Sequence, residues 1–298
     1  MRSERIRLAL QKSGRMAEDS LKLLKHCGLH VTGSREQLLC RIAEMPIDVL
    51  LVRDDDIPEF VSSGICDLGI VGENVFAERL QEAAQNGTAF HANILERLGF
   101  SRCRLSLAVP EDGALNNVKD LAGKVIATTY PHILQEFLRR HDVTATTLEM
   151  SGSVEVAPRL KIADAICDIV DSGATMAANN LRELLTLLKS EALLIRNTHP
   201  IASDKEATIT RLLSRMRGTL TASDSKYIML HADRANLPAI SKLLPGTESP
   251  TVLPLHGSTD KVAVHAVCRE SVFWETMEKL QAAGASSILV LPIEKMMA

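Results

Sequence analysis

Acidic and small polar residues follow one hydrophobic stretch and carry the clearest chemical signal in the chain. Asp168 lies within the apolar run 165–170, and Asp171-Ser172-Gly173-Ala174-Thr175 comes directly after it. A glycine lets the backbone approach a ligand closely, and the N–H groups and dipole at a helix start favour an anion. Carboxylates beside such a turn suit ribose hydroxyls or a hydrated Mg²⁺ on pyrophosphate. The pattern favours a sugar-phosphate site, although a strand ending in an ordinary capped helix fits the same residues.

Two other polar segments could bind or balance charge. Lys12 and Arg15 flank Gly14 in a loop after the first alternating stretch, which suits polyphosphate oxygens. Arg53 precedes the three aspartates 54–56, whose carboxylates repel one another unless they cap the next helix or meet a cation. A solvated loop and a capping aspartate are the ordinary explanations of these segments, and the sequence leaves both open.

Several common catalytic motifs are absent from the sequence. The nine histidines include no H-E-x-x-H spacing, and there is no G-x-S-x-G, Walker A or G-x-G-x-x-G sequence. These absences argue against a dedicated zinc site, covalent catalysis by a serine and the common nucleotide-binding folds.

The elements that must position these residues alternate between strand and helix. The pattern predicts strands at 6–10, 48–52 and 67–71, then at 104–109, 124–128, 146–150 and 165–170, with helices near 17–24, 131–140 and 154–162, the last interrupted by Pro158. Such alternation predicts largely parallel sheets in two α/β lobes, with a cleft between them as the default site.

The order of elements changes after Lys226. Strands are predicted at 227–231, 251–255, 262–267 and 287–291, with helices at 237–244 and 272–283. This βαββαβ order is typical of a ferredoxin-like domain. We therefore divide the chain into a first lobe (1–102 and 179–224), a second lobe (103–178) and a C-terminal domain (225–298).

Composition limits the classes of protein that remain. The 298 residues are 46% hydrophobic and 24% charged, which is ordinary for a globular protein. A net charge of −3 argues against a protein that binds nucleic acid through its overall electrostatic field, since such proteins usually carry an excess of basic residues. The six cysteines have no C-x-x-C spacing, and the N-terminal apolar stretch is too short for a signal peptide or a spanning helix. We expect a cytoplasmic protein without a membrane partner.

Several segments together resemble the long form of ATP phosphoribosyltransferase, and the resemblance covers essentially the whole chain. The matching segments include Leu10-Gln-Lys-Ser-Gly-Arg15, Val52-Arg-Asp-Asp-Asp-Ile-Pro58, Asp67-Leu-Gly-Ile-Val-Gly-Glu-Asn74, residues 163–175 and Gly284-Ala-Ser-Ser-Ile-Leu-Val-Leu-Pro292. The resemblance implies a two-lobed catalytic core like the type II periplasmic binding proteins, followed by a regulatory domain.

The resemblance also implies a reaction. In this family, N1 of the adenine of ATP displaces pyrophosphate from phosphoribosyl pyrophosphate, with Mg²⁺ required, in the first step of histidine biosynthesis. The family is inhibited by histidine and forms dimers and hexamers, so a homo-oligomer is expected here. No covalent nucleophile from the protein is expected.

Site residues carried over from the family fall into three groups. Phosphoribosyl pyrophosphate would be held by Glu155, Asp168, Asp171, Ser172, Gly173, Ala174 and Thr175, with Glu155 and Asp168 also facing Mg²⁺, directly or through the substrate. Polyphosphate oxygens would be held by Lys12, Arg15 and Arg53. Histidine would be bound by Asp233, Thr251, Val267 and Ser287.

Two other functions remain open. A two-lobed core can serve as a solute receptor or sensing domain without chemistry, and a silent paralogue could regulate a shorter catalytic partner. The acids beside the phosphate turn and the intact loops argue against both.

Overall fold

The computed structural model describes residues 5–33, 37–244, 249–269 and 273–296, and these contain sixteen strands and eight α-helices. They pack as two units, one from the described parts of 1–25 and 29–209 and the other from 26–28 and 210–296. The predicted second lobe and most of the predicted first lobe fall in the first unit, whereas residues 26–28 and 210–224 of the predicted first lobe belong to the second unit. The lobe and domain boundaries drawn from the sequence stay predictions.

The first lobe is built on a seven-stranded sheet with the order β2-β3-β4-β1-β5-β12-β6. Its strands β4, β1 and β5 are parallel, whereas β12 returns antiparallel to β5. The strands are β1 (Ile6–Gln11), β2 (Val31–Thr32), β3 (Leu39–Ile42), β4 (Ile47–Val52), β5 (Leu68–Gly72), β6 (Ala92–Arg97) and β12 (Ala192–Asn197).

Helices α1 (Arg15–His26), α2 (Ile57–Ser62) and α3 (Glu73–Gln85) follow the parallel strands of this sheet. Gly14 precedes α1 with a φ of +94°, a conformation that glycine adopts without steric cost. The helix then buries the face that contains Ala17, Leu23 and Leu24. The loop that carries Lys12 is thus held between a buried strand and a packed helix.

The second lobe is built on a five-stranded sheet with the order β11-β7-β10-β8-β9. Its strands β10, β8 and β9 are parallel, and β7 is antiparallel to both neighbours. The elements are β7 (Cys103–Pro110), β8 (Val125–Thr128), α4 (Pro131–Arg140), β9 (Thr146–Glu149), β10 (Ala165–Val170), α5 (Ala174–Ala178) and β11 (Leu181–Ser190). Strand β11 thus pairs in this sheet, whereas the sequence-based division placed 179–224 with the first lobe.

The helix predicted at 154–162 is wrong. A single 3₁₀ turn at Val154–Val156 is followed by irregular turns. Pro158 has no N–H to continue a helical hydrogen-bond ladder, and Lys161 adopts a φ of +55°, outside the right-handed helical region.

The C-terminal domain has the predicted ferredoxin-like order. After α6 (Ser203–Ser223), the chain forms β13 (Ser225–Asp233), α7 (Leu237–Leu243), β14 (Thr251–Pro254), β15 (Lys261–Arg269), α8 (Phe273–Ala282) and β16 (Ser286–Pro292). The antiparallel sheet has the order β14-β15-β13-β16. One face of the sheet packs with α7 and α8 around Ile228, Leu230, Ile240, Val264 and Leu280.

All six cysteines are free thiols, and all but Cys103 are buried. They therefore pack as small apolar side chains. Over the described ranges, no helix combines the length and the apolar character needed to cross a membrane.

Candidate active site between two strand edges

Two predicted cations lie side by side at the carboxyl edge of the first sheet. Strands β1 and β4 run parallel with Gln11 opposite Val52, so the residues that follow them, Lys12 and Arg53, are neighbours. The backbone N–H of Lys12 donates to the Val52 carbonyl at 2.8 Å. Both side chains are exposed. The edge therefore presents two positive charges where ligands of open α/β sheets bind.

Asp168 lies close to the carboxyl edge of the second sheet. Strand alternation puts its side chain on the face of β10 that contains Ile166 and Val170. The neighbouring parallel strand β8 places Thr129 beside it, and the Thr129 hydroxyl donates to Asp168 Oδ1 at 3.4 Å. Thr129 was not predicted as a site residue, although the parallel pairing of β8 with β10 would have indicated it.

The Asp168 carboxyl is electrostatically perturbed. Burial raises its pKa, and the nearby negative charge of Glu155 raises it further. Glu155 belongs to the 3₁₀ turn whose Val154 packs with Ile166 and Val170. The carboxylates of Asp168 and Glu155, both predicted to face Mg²⁺, are therefore close enough to repel one another. A bound cation would relieve this repulsion.

The turn after β10 presents hydroxyl and amide donors. Gly173 has a φ of +84° and open space where a Cβ would lie. The Ser172 hydroxyl accepts a hydrogen bond from the Ala174 N–H at 3.3 Å, and Thr175 is exposed in the first turn of α5. Helix α5 has only five residues, so the predicted help from its dipole is small. Apart from the Ala174 N–H, which bonds Ser172, the first-turn N–H groups and the two hydroxyls are the donors that an anion would meet here.

Residues 11–15 of the first lobe, called here the cation loop, meet this turn directly. Arg15 Nη1 lies 2.6 Å from Asp171 Oδ2, and the two side chains are 56% and 60% exposed. Because the guanidinium offsets the Asp171 charge, a phosphate in the turn would meet less repulsion. The structure thus joins two segments that were assigned separately to polyphosphate and to phosphate.

A cleft of about 420 Å³ separates the lobes. Arg53, Asp54 and Asp55 line it from the first lobe, and Thr129 and Tyr130 line it from the second. Thr129 and Tyr130 were not among the predicted site residues. A second cavity of about 360 Å³ lies elsewhere in the first lobe, around Arg7, Asp67, Asn197, His199 and Lys205, and includes none of the predicted site residues.

Tyr130 links the lobes at the side of the cleft. Its hydroxyl accepts a hydrogen bond from Asn74 Nδ2 of α3 at 2.8 Å. Burial raises the pKa of this phenol, and the negative charges of Asp168, Asp54 and Asp55 raise it further. The hydroxyl therefore stays protonated and is able to donate a hydrogen bond within the cleft.

The three aspartates after Arg53 do not cap the following helix through their side chains. They form the 3₁₀ turn Asp54–Asp56, and neither this turn nor α2 has a side-chain cap hydrogen bond among the described residues. Burial raises the pKa of Asp54, and Asp55 raises it further. The capping explanation therefore lacks the hydrogen bond that it requires. Asp54 and Asp55 instead line the cleft.

The four candidate histidine-binding residues lie on different strands of the C-terminal sheet. Asp233 ends β13, Thr251 begins β14, Val267 is in β15, and Ser287 lies on β16 where its register against β13 shifts. Asp233 is opposite Lys261, whereas Val267 is opposite Tyr227, which lies six residues before Asp233 in β13. At about 3.4 Å per residue, this separation is roughly 20 Å. One histidine cannot contact all four residues within a single chain.

The acids predicted to face Mg²⁺ are two, Asp168 and Glu155. No group of three or more histidine, cysteine, aspartate or glutamate side chains is arranged to hold a metal ion within the part of the chain that the structure describes. Mg²⁺ often binds through one or two carboxylates while water and substrate phosphates supply the other oxygens. Asp168 and Glu155 fit that kind of site.

Comparisons with known proteins agree with this architecture. The family model HisG, ATP phosphoribosyltransferase, matches residues 53–218, and the model HisG, C-terminal domain, matches residues 222–295. An ATP phosphoribosyltransferase of Maricaulis maris (strain MCS10) is 52% identical over 296 residues, which cover 99% of this chain and 100% of that protein.

Solved structures with a similar fold include an ATP phosphoribosyl transferase (HisG:HisZ) complex from Thermotoga maritima. It has a TM-score of 0.60 at 23% identity over 72% of this chain and 98% of the other. The alkanesulfonate-binding protein SsuA from Xanthomonas axonopodis pv. citri has a TM-score of 0.46 at 18% identity over 72% of each chain. The predicted fold class, a two-lobed α/β core with a C-terminal ferredoxin-like domain, is confirmed. The chain belongs to the ATP phosphoribosyltransferase family, whose reaction is the first step of histidine biosynthesis.

Proposed function

We propose that this enzyme transfers the phosphoribosyl group of phosphoribosyl pyrophosphate to N1 of the adenine of ATP. The N1 lone pair forms a bond to the anomeric carbon, and the electron pair of the broken C–O bond leaves with pyrophosphate. The products are phosphoribosyl-ATP and pyrophosphate. The contact between Arg15 and Asp171 carries the proposal, because it joins a predicted polyphosphate-binding residue to the turn that is predicted to hold the sugar phosphate.

The protein acts mainly by alignment and by electrostatic stabilisation. The N–H groups and hydroxyls of residues 171–175 hold the 5′-phosphate, while Asp168 and Glu155 face the ribose hydroxyls. Lys12, Arg15 and Arg53 face the polyphosphates and stabilise the charge that develops on the leaving pyrophosphate. Because the attacking atom belongs to ATP, the main task of the protein is to bring N1 and the anomeric carbon together.

Mg²⁺ is the proposed cofactor. Asp168 and Glu155 would hold it, directly or through the substrate, and their mutual repulsion supports the assignment. When bound, the ion neutralises charge on the pyrophosphate leaving group.

Histidine is the proposed inhibitor, acting through the C-terminal domain, and a dimer-to-hexamer equilibrium would couple the two sites. Asp233, Thr251, Val267 and Ser287 remain the candidate contacts. Since Asp233 and Val267 lie far apart along the sheet, the four residues have to be tested in separate pairs. The cytoplasmic location stays a prediction.

The test is turnover by the purified chain alone. With Mg²⁺, phosphoribosyl pyrophosphate and ATP, we expect pyrophosphate release that requires both substrates, and a product with the mass of phosphoribosyl-ATP. Thr175→Ala should lower the rate at least tenfold, while Thr175→Ser keeps a hydroxyl and should retain more activity. Substrate binding without turnover would favour a receptor, and turnover only with an added shorter catalytic chain would favour a regulatory paralogue.

A further inference from the structure

We propose that Arg104 and Glu183 are positioning residues that fix the turn at residues 171–175 for the sugar phosphate. Neither residue was assigned a role from the sequence. The inference rests on the proposed function, because that function assigns the 5′-phosphate to this turn.

Arg104 makes two kinds of contact at once. Its Nε and Nη2 atoms donate to the Glu183 carboxylate at 2.7 to 3.0 Å, which forms a two-pronged ion pair. Its Nη1 atom donates to the backbone carbonyl of Asp171 at 3.1 Å. The guanidinium therefore ties the first residue of the turn to strand β11.

The sheet explains why Arg104 reaches that carbonyl. Arg104 on β7 is opposite Val170, the last residue of β10, so its side chain starts beside the point where the turn begins. Ser106, two residues further along β7, is opposite Asp168. The Arg104 and Ser106 side chains thus share a sheet face with the Asp168 carboxylate.

Glu183 is held in place by further hydrogen bonds. The buried Ser106 hydroxyl donates to Glu183 Oε1 at 2.7 Å, and the Thr186 hydroxyl donates to the same atom at 2.8 Å. These donors and the Arg104 ion pair lower the pKa of Glu183 to about 2, with Arg104 the largest cause. Glu183 therefore stays charged at neutral pH and orients the guanidinium.

The proposed positioning role of Arg104 depends on hydrogen-bond geometry as well as charge, because a guanidinium offers several N–H donors in one rigid plane. Lysine at position 104 would keep the charge but could not hold the carboxylate with two prongs and also bond the carbonyl in a fixed geometry. Without this anchor, we expect the turn to sample conformations in which its N–H groups no longer converge on one phosphate. The loss should fall on phosphoribosyl pyrophosphate and spare ATP.

The chain offers a matched control on helix α4. Arg139 donates to Glu136 from Nε at 2.8 Å and from Nη2 at 2.9 Å, which is also a two-pronged pair. This pair lies within α4, away from the turn. Arg139→Gln therefore reports the effect of removing a paired arginine outside the turn, although Arg139 is more exposed than Arg104 and Glu136 keeps Arg140 as a partner.

The experiment compares Arg104→Gln, Arg104→Lys and Glu183→Gln with Arg139→Gln in the full-length enzyme. We measure kcat, the KM of each substrate and Tm. In the three variants of the Arg104 pair, we expect the KM for phosphoribosyl pyrophosphate to rise about fivefold or more, as for the loss of an orienting hydrogen bond. The KM for ATP should stay within about twofold of wild type, and Arg139→Gln should leave both values unchanged.

Three results would overturn the inference: an Arg104→Gln enzyme indistinguishable from Arg139→Gln, equal rises in both KM values, or full rescue by lysine. If Arg104→Gln fails to fold, Glu183→Gln, which keeps the shape of the side chain, decides between the same outcomes. Absence of turnover in the wild-type enzyme would instead refute the proposed function.

Discussion

Arg15 Nη1 and Asp171 Oδ2 lie 2.6 Å apart, although 156 positions separate the two residues in the sequence. This ion pair joins the cation loop of the first lobe to the turn that follows β10 of the second lobe. The ion pair places Arg15 near the proposed phosphate site, and it offsets the negative charge of Asp171. The pair should therefore matter more for substrate binding than for stability.

Removing this ion pair should affect substrate binding and thermal stability differently. Exposed ion pairs contribute at most about 1 kcal/mol, so Arg15→Ala should leave Tm nearly unchanged. The uncompensated charge of Asp171 should raise the KM for phosphoribosyl pyrophosphate about tenfold, which corresponds to roughly 1.4 kcal/mol. Asp171→Asn in the same chain should restore part of the affinity. An unaltered KM in Arg15→Ala would remove the pair from the binding account.

Asp168 is expected to be required for the reaction but not for folding. Asp168→Ala and the isosteric Asp168→Asn should each lower kcat/KM at least tenfold, because the carboxylate that faces the ribose and Mg²⁺ is lost. Burial and Glu155 already disfavour its charged form, so neutralisation should leave Tm unchanged or slightly higher. Steady-state kinetics and thermal unfolding measure the two effects. Normal activity in both variants would refute the role.

The activity should also depend on pH in a way that involves Glu155. The active form of Asp168 is the carboxylate, and its pKa is raised, so the rate should fall with decreasing pH at values above the ordinary aspartate range. Glu155→Gln removes a like charge and should move this acid limb to lower pH. The readout is the pH at which kcat/KM falls on the acid side, because this limb reports the free enzyme, whereas the amplitude also reports any direct role of Glu155. An acid limb that stays in place or moves upward would contradict the coupling.

Histidine inhibition should depend on the C-terminal sheet. Millimolar or lower histidine should inhibit the wild-type enzyme, and Asp233→Ala or Thr251→Ala should raise the concentration that halves activity while uninhibited turnover stays normal. Point variants are preferable to truncation at about Ser225, because that cut falls inside the unit containing residues 210–296. Full histidine sensitivity in both variants would move the inhibitor site elsewhere.

Local patterns predicted much of the framework. The strand predicted at 165–170 coincides with β10, and the helix predicted at 131–140 coincides with α4. Both have clear signals: β10 is a short apolar run that ends at polar residues, and α4 begins at Pro131, a favourable first position of a helix. Family resemblance supplied the roles assigned to site residues, since these patterns alone left a capped helix as an alternative.

Long-range contacts and irregular elements were not predictable in the same way. Strand β11 has register shifts between Glu183 and Leu185 and between Thr186 and Leu188, which disturb the alternation that marks a strand. The bond between Thr129 and Asp168 depends on the pairing of β8 with β10. The anchor of the turn by Arg104 likewise depends on which strands flank β7, and that order appears only in the folded sheet.

The most direct test of the account is a crystal structure of the enzyme with phosphoribosyl pyrophosphate bound. We predict that the 5′-phosphate lies within hydrogen-bond distance of the Thr175 hydroxyl and the backbone N–H groups of residues 172–175, with Asp168 beside the ribose. A sugar phosphate bound elsewhere, with this turn empty, would contradict the account.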